Sequence, residues 1–570
     1  MGYHELSVES VAEAYLALLA ARGVDCLFAN AGTDFAPLVE AFAKAARTKL
    51  GVPRPVIAAH ENLALSMAHG WAMVRGRVPA VMVHVSVGTA NGLCAAFNAA
   101  REHVPMLFTA GRSPLTEAGM PGSRDVYIHW AQEMFDQAGM VREIVKWDYE
   151  LKSGAQLETV IDRALAIATS EPAGPVYLSL PREVLAAPLP RFVFDSPVRR
   201  VAATPPGADR NAIEAMAQVL AVAENPLVVT ASAGRDPAAV TALAALAEGF
   251  ALPVVEHRPR HLSLPADHPC HLGYDATPFL DDADAILVLE CDVPWVPSLK
   301  APRPECRVIH LGVDPLFQRY PIRGFPCDLA VTATAAAALP ELAAALARRA
   351  AKPAVAARRA RIAGRREAQR AAWSRAVEAA ASRRPIDMAW ASHCIARAKP
   401  EDAILINEYT LMLEHCGSTR AGSYFGSSPA SGLGWGGGAA LGAKLAAPGR
   451  PVICILGDGS HLFGNPVALH HAAAMHKLPV LFVIMNNAMW GAVRRATLGM
   501  YPAGEASRSN KPPLIDLDDL PAFEAVCVAA GGYGERVEDP AALPAALDRA
   551  LKAVTVERRQ ALLNVICRGP

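Results

Sequence analysis

The sequence lacks several features that would place it in whole classes of protein. It has no net charge, with 55 basic and 55 acidic side chains, which argues against a nucleic-acid or anionic-membrane partner. No apolar run reaches membrane-spanning length without a glycine, a proline or a charge, and no basic, apolar leader is visible at the start. The eleven cysteines form no CxxC motif and no close pair, so we expect reduced thiols in a cytoplasmic protein.

What remains is an apolar chain of 570 residues, long enough for about three domains. Short apolar runs alternate with helical patterns, which predicts parallel sheets covered by helices on both faces. We predict an α/β fold with three doubly wound parallel-sheet domains at residues 1–185, 205–345 and 380–570. The Pro- and Arg-rich segment 186–208 is typical of a linker. Arginines in the helical segment 339–381 indicate a solvated helix face, with a nucleic-acid patch as a remote alternative.

The most informative motif lies in the last domain. The motif GDGS stands at 457–460 directly after an apolar run, and the pair NN at 486–487 closes another. A helical stretch separates them, so polar groups follow the carboxyl ends of two strands, where parallel sheets bind ligands. One carboxylate, one amide oxygen and a glycine-opened loop suit Mg²⁺ that holds a diphosphate. The alternative is an ordinary acidic turn followed by a pair of asparagines at a strand end.

This arrangement resembles the diphosphate-binding motif of thiamine-diphosphate enzymes, in the superfamily of acetolactate synthases, benzoylformate decarboxylases and benzaldehyde lyases. By that resemblance, Asp458, the side chain of Asn487 and the backbone carbonyl of Met489 would hold Mg²⁺ and contact the cofactor. The rest of the loop would also bind the cofactor, through Gly457, Gly459 and Ser460. The resemblance spans nearly the whole chain, and it implies pyrimidine-binding, central and diphosphate-binding domains in that order.

Two further segments resemble cofactor-binding parts of the family. An early glycine turn contains Gly32, and the adjacent Thr33 is either a donor to a substrate carboxylate or the N-cap of the next helix. The segment NEYT at 407–410 resembles a decarboxylase segment that contacts the diphosphate, which implies a cofactor contact for Thr410. A plain turn at a strand end is the alternative for this second segment.

The turn that begins at Ser431 resembles the one that carries the bend of the cofactor in this family. The carbonyl of Ser431 would accept a hydrogen bond from the aminopyrimidine amino group. The side chain of Leu433 would lie between the two rings and force the V conformation. Both residues are therefore expected to bind the cofactor.

A catalytic glutamate is implied by the chemistry of the cofactor. A carboxylic group bonded to the aminopyrimidine promotes the tautomer whose nitrogen removes the proton from thiazolium C2. Glu61 stands where an apolar run gives way to a helix, in a segment that resembles the catalytic-glutamate region of the family. The alternative is an acid in the first helical turn, favoured by the helix dipole.

Two more residues are candidate catalytic groups. His84 matches the position of an active-site histidine in benzoylformate decarboxylase, where it would relay protons. A satisfied histidine at a strand end is the alternative. Gln137 lies in a segment that resembles benzaldehyde lyase and 2-hydroxyacyl-CoA lyases, where a glutamine approaches the cofactor. A buried structural amide is the alternative for this residue.

The resemblance implies a Mg²⁺- and thiamine-diphosphate-dependent 2-oxo-acid decarboxylase or carboligase. It would act by attack of a C2 ylide on the carbonyl of a 2-oxo acid or aldehyde, through an enamine intermediate. A 2-hydroxyacyl-CoA or oxalyl-CoA lyase and a non-catalytic regulatory subunit are the alternatives. FAD is not supported, because the middle segment lacks the Gly- and Arg-rich contacts expected for it. Glu61 and Asp458 lie in different domains, and the family brings them together from two chains, so a homodimer or homotetramer with shared sites is implied.

Overall fold

The structure is a computed structural model that describes residues 2–509 and 511–569. The N-terminal third alternates strands with helices. Its strands are β1 (Gly2–Leu6), β2 (Cys26–Ala29), β3 (Arg54–Ile57), β4 (Ala80–Val83), β5 (Met106–Arg112), β6 (Asp148–Glu150), β7 (Pro175–Pro181) and β8 (Phe192–Ser196). Its helices are α1 (Val11–Ala21), α2 (Ala36–Thr48), α3 (Glu61–Arg75), α4 (Val85–Asn91), α5 (Leu93–Arg101), α6 (Ile128–Ala131), α7 (Leu157–Thr169) and α8 (Arg182–Ala186).

The central part repeats the same alternation around a smaller sheet. Its strands are β9 (Pro226–Thr230), β10 (Val254–Glu256), β11 (Ala285–Leu289), β12 (Arg307–Gly312) and β13 (Leu329–Thr332). Its helices are α9 (Arg210–Val222), α10 (Pro237–Phe250), α11 (Ala335–Ala347) and the long α12 (Lys352–Ala380).

The C-terminal third contains a second six-stranded sheet. Its strands are β14 (Ile404–Glu408), β15 (Tyr424–Gly426), β16 (Val452–Gly457), β17 (Leu481–Asn486), β18 (Tyr533–Val537) and β19 (Ala561–Ile566). Its helices are α13 (Met388–Ala398), α14 (Trp435–Ala446), α15 (Asp458–Phe463), α16 (Pro466–Met475), α17 (Gly491–Met500), α18 (Glu505–Arg508), α19 (Phe523–Ala529) and α20 (Leu543–Thr555).

Each third is built on one parallel sheet. The strand orders are β3-β2-β4-β5-β7-β6, β10-β9-β11-β12-β13 and β15-β14-β16-β17-β19-β18. Strands such as β2, β4, β9 and β17 are buried along their whole length, as expected when helices cover both faces. The predicted α/β class with three doubly wound parallel sheets is confirmed. In the described part of the chain, no helix combines the length and apolar character that a bilayer span requires.

The predicted linker at 186–208 is wrong in one respect. It contains β8, which pairs in antiparallel register with β1 to form a separate two-stranded sheet. Strand β8 alternates buried Phe192 and Phe194 with more exposed positions, so it has the period of a half-buried strand. Its pairing partner lies almost 190 residues away in the sequence, which local composition does not reveal.

Arg359, Arg361 and Arg365 of α12 are exposed, as predicted for a solvated face, but not every arginine of this helix is. Arg358 is buried, and its guanidinium donates to the carbonyls of Leu220 and Ala223 at the end of α9. Arg359 and Arg366 donate in the same way to the carbonyls of Glu248 and Asp267, respectively. These arginines therefore hold α12 against the central sheet through backbone carbonyls left open at the ends of helices and turns.

Helices α3 and α14 join the N-terminal and C-terminal sheets by direct backbone contact. A Cβ atom added to Gly70 of α3 would lie 2.0 Å from the carbonyl oxygen of Ala439. One added to Gly442 of α14 would lie 1.9 Å from the carbonyl oxygen of Met67. Only glycine permits this approach, and one apolar core includes residues of both sheets around the crossing.

Substitution of Gly442 by alanine should therefore destabilise the protein. The added methyl group must push two helix backbones apart, and overpacking of this kind typically costs about 1–3 kcal/mol. The measurement is the change in urea or thermal unfolding midpoint relative to the unmodified protein. Gly364→Ala in α12 is the matched control, since no atom lies within 4 Å of its added Cβ and alanine favours a helix by about 0.5–1 kcal/mol. Equal shifts for the two variants would contradict the close crossing.

Candidate functional site

The carboxyl ends of three neighbouring strands form one polar edge in the C-terminal sheet. Glu408 at the end of β14 is in register with Leu456 of β16, and Gly457 is in register with Met485 of β17. The segments that follow these strands therefore start side by side. The structure brings together the predicted loop 457–460, Thr410 and the Asn487 turn at this edge.

Asp458 is the central acid of this edge. It is 3% exposed, and its Oδ1 atom accepts a hydrogen bond from the Gly459 N–H at 2.8 Å. Burial raises the pKa of Asp458, and backbone N–H groups of Gly459 and of Asn487 to Met489 oppose that shift. Its Oδ2 atom is buried without a hydrogen bond of good geometry to any described residue. A buried, unpaired carboxylate oxygen is costly, so this atom suits a bound cation.

The turn after β17 faces this carboxylate. Ala488 has a φ of +53°, in the left-handed region, and the Oδ1 atom of Asn487 accepts from the Met489 N–H at 3.2 Å. The Met489 carbonyl accepts from the Gly491 N–H at 2.9 Å and retains a second lone pair. Among residues 2–509 and 511–569, no three His, Cys, Asp or Glu side chains are grouped to hold a metal ion. A metal at this edge would thus draw on one carboxylate together with amide, carbonyl and ligand oxygens, which is typical of Mg²⁺.

Glu408 is a further acid at this edge, and its role as a site residue was not predicted from the sequence. It is fully buried, and it accepts from the N–H groups of Gly434 at 2.8 Å and Gly436 at 2.5 Å. Burial raises the pKa of Glu408, and hydrogen bonds from Gly436, Gly434 and Ser460 oppose the rise. Glu408 therefore connects the 457–460 loop with the turn before α14. Its signal in the sequence is a single charge that ends an apolar strand.

Thr410 and Gly457 leave room for a ligand at the same place. The Oγ1 atom of Thr410 is buried without a hydrogen-bond partner among the described residues. A Cβ atom on Gly457 would lie 3.7 Å from the methyl group of Thr410. The orphaned hydroxyl of Thr410 and the free Oδ2 of Asp458 are the two groups that a diphosphate with its metal ion would satisfy. The residues present therefore fit such a group.

The turn that contains Ser431 and Leu433 is held in an unusual backbone conformation. Ser431 and Gly434 have φ values of +57° and +81°. Asn98 of α5 donates to the Gly432 carbonyl at 2.9 Å and accepts from the Gly432 N–H at 3.0 Å. Ser431 is exposed and Leu433 is half-buried, so both remain available to a ligand. Asn98 was missed by sequence analysis because its partner lies more than 300 residues away.

The carboxyl ends of β3, β2 and β4 form a second polar edge, in the N-terminal sheet. Glu61 begins α3 just after β3, and its Oε2 atom accepts from the side chain of Asn91 at 2.5 Å. A Cβ atom on Gly88 would lie 3.2 Å from the other carboxylate oxygen of Glu61. Glu61 is 9% exposed. It is thus a buried carboxylate with one oxygen anchored by Asn91 and the other close to Gly88.

His84 and Gly32 lie next to each other at the same edge. The Nδ1 atom of His84 is 2.5 Å from the Oδ1 atom of Asp34. This hydrogen bond is the main reason that the pKa of His84 is raised, against the effect of burial. A Cβ atom on Gly32 would lie 2.1 Å from the same ring nitrogen, so glycine is required there to admit the histidine. Asp34 was missed by sequence analysis, although it directly follows the predicted glycine turn.

Thr33 does not cap the following helix as one alternative predicted. Helix α2 starts at Ala36, and the residue before it, Phe35, makes no side-chain capping bond. Thr33 instead begins a short 3₁₀ turn, and its hydroxyl lies 3.4 Å from the Nε2 atom of His129. This places the hydroxyl toward the polar edge, next to Gly32 and near the hydrogen-bonded pair of His84 and Asp34.

Gln137 lies in a different environment from the other predicted catalytic groups. It is buried, and its amide nitrogen donates to the Gly111 carbonyl and to the Tyr177 hydroxyl, both at 2.8 Å. These contacts connect it to β5 and β7 inside the N-terminal sheet. They match the structural-amide alternative, and the catalytic role of Gln137 stays a prediction.

A cleft of about 670 Å³ opens beside the C-terminal edge. The C-terminal third contributes Tyr409 and Ser431 to its wall, and the central third contributes His257, Arg258 and Asp292. The cleft therefore reaches the turn predicted to bind the cofactor. Its size is in the range of small-molecule sites.

Three family models match successive parts of the chain. The N-terminal TPP-binding domain of thiamine pyrophosphate enzymes matches residues 9–140, the central domain matches residues 213–342, and the C-terminal TPP-binding domain matches residues 408–565. Together they cover well over half of the chain. The matched ranges contain both polar edges described above.

The chain is similar to known proteins over most or nearly all of its length. It is 28% identical to a benzoylformate decarboxylase of Pseudomonas aeruginosa, over 98% of this chain and 99% of that protein. It is 24% identical to the large subunit of acetolactate synthase isozyme 3 of Escherichia coli, over 88% and 86% of the two chains. A solved 4-hydroxybenzoylformate decarboxylase of Rhodococcus jostii has the same fold, with a TM-score of 0.75 at 23% identity, over 98% and 99% of the two chains.

The predicted resemblance is thus confirmed by family models in all three domains and by relatives along the whole length. The chain belongs to the superfamily of thiamine-pyrophosphate-dependent enzymes that includes benzoylformate decarboxylases and acetolactate synthases.

Proposed function

We propose that this protein is a Mg²⁺- and thiamine-diphosphate-dependent 2-oxo-acid decarboxylase or carboligase. The observation that carries the proposal is the buried, unpaired Oδ2 atom of Asp458 beside the Asn487 to Met489 turn. A cation would satisfy an acid in that state, and a single carboxylate on a strand edge suits Mg²⁺ with phosphate ligands. In this proposal the pyrimidine-binding, central and diphosphate-binding domains span residues 1–185, 205–345 and 380–570.

In the proposed site the C-terminal edge holds the diphosphate end of the cofactor. Asp458, the Asn487 side chain and the Met489 carbonyl bind Mg²⁺. The loop of Gly457, Gly459 and Ser460 faces the phosphates, and the Thr410 hydroxyl donates to one of them. Two of these polar atoms, Asp458 Oδ2 and Thr410 Oγ1, have no other hydrogen-bond partner among the described residues. The Ser460 side chain also donates to Glu408. The Ser431 carbonyl and the Leu433 side chain orient the rings.

The N-terminal edge supplies the groups that move or hold protons in this proposal. When bound, thiamine diphosphate supplies a nucleophilic carbon and an electron sink. Glu61 holds a proton at the pyrimidine nitrogen with its unanchored oxygen, while Asn91 fixes the other oxygen. His84 lies beside the glycine turn of Gly32 and faces the carbonyl compound.

The placement of the two edges supports the proposal that two chains share each site. The hydrogen-bond partner of Glu61 is Asn91, within the N-terminal sheet unit, whereas the groups around Asp458 all belong to the C-terminal one. Large apolar side chains are exposed around both edges, including Ile57, Val87, Phe97, Phe463 and Val467. Exposed apolar surface of this extent marks an interaction site. We propose that a second copy covers it and completes the site, and that two such dimers form a tetramer.

The alternatives have less support. The acyl-CoA lyase interpretation depended on the segment that contains Gln137, and that amide is bonded inside the N-terminal sheet. A non-catalytic subunit would have no need for a buried glutamate at the start of α3, whereas this chain has Glu61 there. The Pseudomonas and Escherichia relatives named above are a decarboxylase and a synthase.

A substrate screen tests the proposed function directly. Purified protein is loaded with thiamine diphosphate and Mg²⁺, and cofactor binding is followed by circular dichroism. Release of CO₂ is then measured with pyruvate, benzoylformate and branched 2-oxo acids. Turnover of at least one 2-oxo acid is the expected result. Cofactor binding without CO₂ release or carboligation on any of them would overturn the proposal.

Glu61→Gln should keep cofactor binding and lose most turnover. The amide has the shape of the acid but cannot hold the exchangeable proton, and general acid–base groups typically contribute at least about 100-fold to the rate. Binding is measured by circular dichroism and turnover by CO₂ release. Glu40→Gln, at an exposed position on α2, is the matched control and should be fully active. Normal turnover of the Glu61 variant would remove this residue from the mechanism.

Asp458→Ala should abolish retention of the cofactor. Loss of the Asp458 carboxylate should weaken thiamine diphosphate binding by about 100-fold or more, because even residues that only support metal ligands contribute up to about 100-fold. Thiamine content after gel filtration in excess Mg²⁺ is the readout. Asp548→Ala on the exposed face of α20 serves as the control. Unchanged thiamine content in the Asp458 variant would contradict the metal assignment.

The two inactive variants together test whether the site is shared. Glu61→Gln and Asp458→Ala chains are co-expressed with different tags, and the mixed dimers are purified. If the two residues come from different chains, each purified mixed dimer has one intact site out of two and should show about half of the unmodified activity. If both residues act within one chain, the mixture stays inactive. Homodimers of each variant provide the baseline.

A further inference from the structure

His84 is held between two polar side chains. On one side, its Nδ1 atom lies 2.5 Å from the Oδ1 atom of Asp34, which is 2% exposed. The second oxygen of Asp34 accepts from the Val85 N–H at 3.3 Å. On the other side, the Nε2 atom of His84 lies 3.3 Å from the amide nitrogen of Gln132. Both ring nitrogens therefore have a polar neighbour.

Two glycines leave the space that the His84–Asp34 pair occupies. A Cβ atom on Gly32 would lie 2.1 Å from the Nδ1 atom of His84, and one on Gly111 would lie 1.8 Å from the Oδ2 atom of Asp34. No side chain fits at either position while the pair is in place. The ends of β2 and β5 thus leave space that the histidine and the carboxylate fill, so the pair is a built part of the fold.

The amide of Gln132 is compatible with a hydrogen on the Nε2 atom of His84. Its Oε1 atom is buried with no hydrogen-bond partner among the described residues, while its nitrogen faces His84. The orientation of a glutamine amide is set by its hydrogen bonds, because oxygen and nitrogen are nearly the same size. Turned by 180°, the amide places Oε1 against Nε2 and satisfies it, provided that Nε2 carries a hydrogen. The Nδ1 atom carries a hydrogen when it donates to the Oδ1 atom of Asp34, since a carboxylate oxygen accepts.

The charged groups around the ring act in the same direction. Asp34 contributes most to the raised pKa of His84, burial opposes it, and Glu61 adds to the rise. The opposite side of the cluster contains His129, whose pKa is lowered by burial and by Arg182. Asp125 pairs with both His129 and Arg182 there. The charged form is therefore favoured at His84 and disfavoured at His129.

We propose that Asp34 and Gln132 are positioning residues that hold His84 as a doubly protonated ring with a fixed positive charge. The consequence for substrate choice rests on the proposed function. A fixed cation beside Glu61 favours compounds that carry a carboxylate next to the reacting carbonyl, namely 2-oxo acids, over neutral aldehydes. It also means that His84 acts first as a charge and a donor, since both its nitrogens are already protonated.

The protonation state is tested without reference to activity. Exchange of the C2 hydrogen of histidine for deuterium is followed by mass spectrometry of the peptide that contains His84, across a range of pH. The midpoint for His84 should lie above that of exposed His4 in the same sample. Asp34→Asn keeps the shape but removes the charge, and it should move the His84 midpoint to lower pH.

Matched variants separate this effect from a general loss of charge or of fold. Asp125→Asn removes a carboxylate from the same cluster that faces His129, and it should leave the His84 midpoint in place. Gln132→Glu puts a second carboxylate against Nε2 and should move the midpoint to higher pH than in the unmodified protein. A His84 midpoint at or below that of His4, or one that neither the Asp34 nor the Gln132 variant moves, would overturn the proposal.

Kinetics then test the consequence for substrates. The ring loses its charge as the pH rises through its raised pKa, so kcat/KM for a 2-oxo acid should fall on the alkaline side. In Asp34→Asn this fall should occur at lower pH, and kcat/KM near neutral pH should drop by about tenfold, mainly through KM. A raised His84 midpoint without turnover of any 2-oxo acid would reject the proposed function and leave the assigned charge intact. An unshifted pH profile in an active Asp34 variant would reject the role in substrate choice.

Discussion

The backbone contact between α3 and α14 is the constraint on which both polar edges depend. Helix α3 begins at Glu61, and α14 begins at Trp435, directly after the turn that contains Ser431 and Leu433. The glycines at the crossing let the two backbones approach so closely that an added methyl group on either glycine would overlap the other helix. Since helices are stiff, a shift at the crossing would move the glutamate and the turn together. The packing of the core and the position of the proposed active site are therefore set by the same few atoms.

The two edges differ in their electrostatics. Burial raises the pKa of Asp458 and Glu408 in the C-terminal edge, and several backbone N–H groups counteract this shift. A cation next to Asp458 would favour its ionised form, so metal binding and ionisation support each other there. In the N-terminal edge a carboxylate raises the pKa of His84. The C-terminal edge is thus suited to bind a cation. The N-terminal edge contains a histidine whose positively charged form is favoured.

The sequence predicted those parts of the fold and site that depend on local pattern. Buried parallel strands appear as short apolar runs, and polar groups such as Asp458 and Asn487 follow them directly. The pattern could not reveal Glu408 or Asp34 as site residues, because their roles depend on partners at Gly434 and His84, far away in the chain. Arg358 and β8 were misjudged for the same reason, since their partners are a distant helix end and a distant strand. The helix cap predicted as one role of Thr33 failed for a local reason, because a 3₁₀ turn delays the start of α2.

The proposed shared site also limits how copies of this chain would assemble. In the proposed site the N-terminal edge of one copy must meet the C-terminal edge of another. A head-to-tail contact would satisfy one edge of each copy and leave an open chain of copies, with exposed apolar surface at its ends. A two-fold axis makes both contacts at once, so that each copy gives one glutamate and receives one. Because α3 and α14 fix the two edges relative to each other within a chain, the geometry that closes one site closes the other. Two complete sites per dimer are then a consequence of the helix crossing, without any further contact to specify them.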